Sequence, residues 1–167
     1  YDLPWANASN TPFRRYKHWV HEGGISTPCV MQWPAGMTRH GITHTVCHFI
    51  DVMATCLDAA GMRHPAEYRG RRVQPIEGES LLPVFQGRDW QRAVPLFWEH
   101  EGNSAVRDGI WKLVRKHGTP WELYNMLEDR TELHDLAGSE HARVKKMITA
   151  YAEWAARCGV LDWPLKF

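Results

Sequence analysis

The sequence predicts an α+β unit over residues 94–167, a small antiparallel sheet packed by a long helix. One strand and one helix precede it and read as the last pieces of a larger α/β domain. Three observations carry this prediction. Strand-like runs cluster between Val94 and Asn125 around an Asp108-Gly109 turn signal. A helical apolar stripe follows from Val144 to Cys158. Residues 1–61, in contrast, hold too little regular structure to close a core of their own.

The elements follow in order. Tyr1 to Thr11 is polar and turn-rich, without strand or helix periodicity. It reads as an internal starting point, with any targeting segment upstream. Residues 26–33 read as a short buried strand, with Pro28 near its start because proline cannot donate to a ladder. Pro34, Gly36 and Gly41 then form a loop. A helix is expected from about Cys47 to Ala60, where Phe49, Met53, Cys56, Leu57 and Ala60 share one face. Gly61 is its stop. Residues 62–93, rich in Gly, Pro and Arg, read as a surface connection with one helical turn near Ser80–Phe85. Val94–Trp98 reads as a strand. Ser104–Arg107 and Ile110–Arg115 flank Asp108-Gly109, the pair a two-residue type I′ hairpin turn requires. Trp121–Asn125 adds a further strand. Ser139 is placed to cap a helix reaching Cys158, with Val144, Met147, Ile148, Tyr151, Ala155 and Cys158 as its apolar stripe and Gly159 as its end. The resulting division is 1–65, the incomplete end of a large domain; 66–93, a connection; and 94–167, the sheet-plus-helix subdomain.

Composition narrows the function classes. Hydrophobic residues make up 44% and charged residues 23% of the 167 positions, an ordinary globular balance. A formal net charge of +1 supplies no field to steer nucleic acid. The Arg69–Arg72 cluster is flanked by acidic residues and reads as a solvated loop. No apolar run approaches the ~18–20 residues that cross a bilayer. The four cysteines form no C-x-x-C pair and sit in apolar stretches, so buried thiols are expected. Of the nine tryptophans, Trp98, Trp111 and Trp121 fall on expected strands and read as sheet-face residues.

The most informative stretch runs from Asn10 to Pro28, N-T-P-F-R-R-Y-K-H-W-V-H-E-G-G-I-S-T-P. It resembles the second signature of the sulfatase family, where a lysine precedes an E-G-G triplet and a strand. Here these are Lys17, Glu22, Gly23 and Gly24. Asp51 to Gly61 resembles the family's D-x-x-P-T-L-L-D-L-A-G helix, with Ala54 where proline is usual. Glu122 to Ala137 resembles its E-L-Y-D-L-x-x-D-x-x-E-x-x-N-L-A stretch. Phe97 to Asn103, with Val106–Gly109 and Trp111–Val114, resembles the hairpin before it. The resemblance covers nearly the whole chain, in order, and implies the C-terminal part of an arylsulfatase-like enzyme of the alkaline-phosphatase-like fold.

The chemistry is consistent with that. Sulfate ester cleavage builds negative charge on the sulfuryl and leaving oxygens, and a lysine answers it as a compact point charge with three donors. By the resemblance Lys17 is that residue, catalytic and sulfate-binding, while Arg14 and Arg15 stay surface residues. His100 and Asn103 are expected to border the substrate pocket. The paired glycines permit positive φ and close backbone approach, and Glu22 is expected to brace the loop by accepting backbone N–H groups. His21-Glu22 is not a zincin motif, because position 25 is not histidine. His40, His44 and His48 would share a face only on a helix, which Gly41 opposes.

The resemblance also implies a formylglycine nucleophile and a calcium ion. No Cys or Ser here begins a C/S-x-P-x-R motif, and there is no Asp-Asn-Gly run. Nucleophile and calcium ligands are therefore expected upstream, with a small-molecule sulfate ester as substrate. A related metal-dependent phosphoester or phosphonate hydrolase, and a non-catalytic truncated homologue, remain alternative readings.

Overall fold

The computed structural model describes residues 2–38 and 40–165. They form two compact units: one from residues 1–28 with 94–167, the other from 29–93. The sequence division placed residues 1–28 with 29–65. The structure instead folds them onto the C-terminal sheet, for an electrostatic reason given below.

The first unit is built on a four-stranded antiparallel meander, β3 (Leu96–His100), β4 (Asn103–Asp108), β5 (Trp111–Arg115) and β6 (Glu122–Asn125), in that order. Side chains alternate across a strand, so neighbouring residues face opposite ways. Val106 pairs with Leu113, which pairs with Leu123, and these three pack with Met147 and Tyr151 of α5 (His141–Cys158). On the other face Ala105 pairs with Val114, and both pack with Tyr124, Met126 and Val20. Both faces of β4 and β5 are therefore covered, which is why these central strands are buried almost continuously. Each fully buried aliphatic side chain contributes about 1.5–3 kcal/mol. Phe97 and Trp154 stack at 5.3 Å, and Trp121 meets Tyr151 edge-on at 5.4 Å. Trp98, Trp111 and Trp121 line the two cores as expected.

The β4–β5 turn is shifted by one residue from the sequence expectation. Asp108 pairs with Trp111, so the loop is Gly109-Ile110. Only Gly109 has positive φ, at 57°, which fits a II′ rather than a I′ turn. Helix α5 ends as expected, with Gly159 left-handed at φ 69°. Its N-cap position is Glu140, and Ser139 donates to the Leu136 carbonyl instead. Cys158 is exposed and leaves the apolar stripe. At the other end of the chain, the expected irregular segment contains a helix, α1 (Leu3–Ser9). Asp2 caps it through Leu3 N at 2.9 Å, and proline stands in its first turn.

The second unit holds α3 (Asp51–Ala59), the hairpin β1 (Glu67–Tyr68) and β2 (Arg71–Arg72), and the turn α4 (Leu82–Phe85). Its hub is Asp51, which is fully buried. It accepts from His48 N at 2.7 Å and Glu79 N at 2.9 Å and pairs with Arg92. Thr55 donates to the Asp51 carbonyl and accepts Leu81 N. Polar anchoring therefore decides which side of α3 is covered. The expected apolar face is the open one: Phe49 is 87% and Met53 57% exposed. Residues 26–33 form no strand and are largely exposed, because among the described residues no strand lies alongside to take their hydrogen bonds. All four cysteines are free, as expected, but exposed rather than buried. Among the described residues no helix is long and apolar enough to cross a membrane.

Candidate functional site

The site grows from the segment between Arg14 and Ile25. Its backbone closes on itself where Gly23 N donates to the Arg14 carbonyl at 3.1 Å. Short α2 (Glu22–Ile25) follows. Neither Gly23 nor Gly24 has positive φ, so backbone freedom is not what this position needs. Close approach is. A Cβ on Gly23 would lie 2.3 Å from the carbonyl oxygens of Arg14 and Arg15, and one on Gly24 would lie 1.8 Å from that of Trp19. The strained residues are elsewhere in the loop: Arg15 has φ 66° and His18 φ 104°. Such angles are costly for non-glycine residues and persist only where the surroundings enforce them.

The surroundings here are a buried charge cluster. Lys112, on the face of β5 opposite α5, is fully buried. Its ammonium lies 2.8 Å from Glu22 and 2.8 Å from Glu132, and Glu132 also accepts Glu22 N at 3.0 Å. Glu22 thus braces the loop, as expected of it. It does so through a lysine from the sheet, not through backbone N–H groups. Burial pushes the Glu22 carboxyl up, but the Lys112 ammonium, helped by Arg107 and Arg130, outweighs it and leaves it below the ordinary carboxylate value. A second anchor joins Arg14, His21 and Tyr124 at Glu122. His21 Nε2 lies 3.2 Å, Arg14 3.4 Å and the Tyr124 hydroxyl 2.7 Å from its carboxylate. Chiefly the His21 hydrogen bond, helped by Tyr124, lowers the Glu122 pKa to about 2. Burial and the same contact push the Tyr124 phenol up. Arg14, expected as a surface residue, is one of these anchors and also donates to the Glu132 carbonyl.

Lys17 stands at the exposed tip of this loop, between the two left-handed residues. His100 is exposed at the end of β3. The rings of His18 and His100 meet edge-on at 5.6 Å, and His18 Nδ1 lies 2.8 Å from Glu101 Oε2. The structure therefore brings the residue after Lys17 against His100. Asn103 is different. It is 1% exposed, and its amide is occupied: it donates to the His100 carbonyl at 2.8 Å and the His18 carbonyl at 3.4 Å and accepts His117 N at 3.1 Å. Its side-chain amide holds the backbones of His18, His100 and His117 together. Sequence reasoning missed His18 and Glu101. The one available signal was the adjacency of His18 to Lys17.

Calcium takes six to eight oxygen ligands. Among the described residues, the one gathered set of metal-ligand side chains is His18, His100 and Glu101, two imidazoles and one carboxylate. That set does not suit calcium.

Residues 15–153 match the family of N-sulphoglucosamine sulphohydrolase C-terminal regions. The chain belongs to the sulfatase family, as a C-terminal part. An uncharacterized sulfatase of Schizosaccharomyces pombe is 30% identical across 100% of this chain and 31% of its own length. Human N-acetylgalactosamine-6-sulfatase is 32% identical over 62% of this chain and 18% of its own. The sulfatase chain thus spans less than a third of the length of the curated relatives it matches. Its fold is similar to the crystal structure of Ps i-CgsB in complex with k-i-k-neocarrahexaose. The TM-score is 0.51 and identity 23%, over 63% of this chain and 23% of that one. The small antiparallel sheet with its C-terminal helix is a sulfatase C-terminal subdomain.

Proposed function

We propose that the protein carrying this chain hydrolyses sulfate esters, and that Lys17 supplies fixed positive charge to the sulfuryl oxygens. One observation carries the reading: Lys17 is exposed at the tip of a loop whose anchors, Arg14, His21 and Glu22, are buried or half-buried and paired. A lysine with no partner to satisfy needs no such scaffold. A cation that must meet developing charge does, because a donor held in place costs no reorganisation at the moment of reaction. His100, exposed beside His18, is the second group placed to donate to the substrate. The name of the human relative points to sulfated amino sugars. The resemblance in the Lys17 segment points to aryl sulfates. In this reading the formylglycine nucleophile and the calcium ligands lie in other parts of the protein, so the 167-residue chain alone should not turn over 4-nitrophenyl sulfate.

The test uses the full-length protein with 4-nitrophenyl sulfate and a 6-sulfated N-acetylgalactosamine. Lys17→Ala should lower kcat/KM about 10²–10³-fold, the loss typical of one stabilising donor. The unfolding midpoint should not move, because the side chain is exposed. A change in kcat/KM of twofold or less would remove Lys17 from the reaction. Faster turnover of a phosphonate monoester than of either sulfate would reassign the substrate class.

A further inference from the structure

We propose that His18, His100 and Glu101 form a binding site for a divalent transition ion of the zinc type. The inference goes beyond the sulfate-ester reading and does not depend on it.

The donor set is the first argument. One nitrogen from each imidazole and one carboxylate oxygen lie within 4.8 Å of one another. Two histidines and a glutamate are a zinc donor set, with ligand distances of about 2.0–2.2 Å. Three protein ligands leave a fourth position for water or an anion. The gap to close is about 1 Å, because ligands on a tetrahedral ion stand roughly 3.3–3.6 Å apart. Side-chain rotation at these partly open positions covers that distance. The His18–Glu101 contact at 2.8 Å could stand alone as a hydrogen-bonded pair. Such a pair makes no use of His100, a second imidazole brought against it from the end of β3; one of its ring nitrogens can ligate an ion while the other still donates.

The backbone is the second argument. His18 and Glu101 both have positive φ, at 104° and 50°. The buried Asn103 amide binds the main-chain carbonyls of His18 and His100. Gly102 N, next to Glu101, is held by Glu99 Oε1 at 2.8 Å. Both histidines are thus tethered to one buried side chain, although they are 82 residues apart in the chain. These bonds hold in place the main chain from which both imidazoles project. The donors themselves remain at the surface, where an ion can enter.

Zn²⁺ titration by calorimetry, and Co²⁺ titration by visible absorption, should find one tight equivalent on the full chain. His18→Ala and His100→Ala should each weaken Zn²⁺ binding about tenfold or more, and the double variant should abolish the tight site. Both side chains are exposed, so circular dichroism should be unchanged. Ca²⁺ and Mg²⁺ in excess should not displace Zn²⁺. The proposal fails if wild type and the double variant bind Zn²⁺ equally, which would place the ion on other histidines or the exposed thiols. It also fails if wild type binds no tight equivalent, which would leave His18 and Glu101 a simple hydrogen-bonded pair.

Discussion

Replacing Lys112 by methionine tests the frame on which the lysine loop is built. The ammonium is fully buried and lies 2.8 Å from both Glu22 and Glu132. Methionine matches its length and removes its charge, leaving two buried carboxylates facing each other. The other cations near them are Arg107 and Arg130, the latter 3.7 Å from Glu22 with its side chain 48% exposed, but among the described residues only Lys112 forms an ion pair with both carboxylates. Losing one partner of a buried pair costs about 3–5 kcal/mol. With a urea dependence of about 2 kcal/mol per molar, the unfolding midpoint should fall by roughly 2 M. The triple variant Lys112→Met, Glu22→Gln, Glu132→Gln should regain most of this loss, since replacing a whole buried ion cluster is often neutral. Equilibrium urea unfolding of the chain, followed by tryptophan fluorescence, measures both. A single-variant loss under about 1 kcal/mol would refute the reasoning. So would a triple variant no more stable than the single one, because the cost would then lie in packing rather than in uncompensated charge.

Three further outcomes are expected. Gly24→Ala drives a methyl group into the Trp19 carbonyl, 1.8 Å away, and should lower stability by about 1–3 kcal/mol or more. Gly138→Ala, with nothing within 4 Å, should be neutral or slightly stabilising in the same urea unfolding. Glu122 has its pKa lowered from 4.5 to about 2. Its contacts with His21, Tyr124 and Arg14 should therefore stabilise the fold fully above about pH 4.5 and be lost as pH falls through about 2. Glu122→Gln should flatten the fall in stability over that window, and an unchanged slope would show that Glu122 is not the group titrating.

Much of this molecule was legible in the sequence because it is local or periodic. The β4–β5 hairpin, the α5 stripe and its left-handed Gly159 follow from alternation, helical spacing and a glycine stop. The family resemblance rested on strings such as Lys17 to Gly24, which survive as strings whatever they contact. Three-dimensional packing decided the rest. Period-2 reasoning placed Lys112 on a strand, but could not show that the Arg14–Ile25 segment would cover that face and bury its charge between Glu22 and Glu132. Apolar periodicity chose the wrong side of α3 as covered, because the polar anchors Asp51 and Thr55 fix that helix through residues far along the chain. The sequence placed Lys17 and His100 more than eighty positions apart as separate candidates. The buried Asn103 amide, joining the backbones of His18 and His100, is what makes their surroundings one place. Such a junction depends on contacts across the fold, and no spacing along the chain records it.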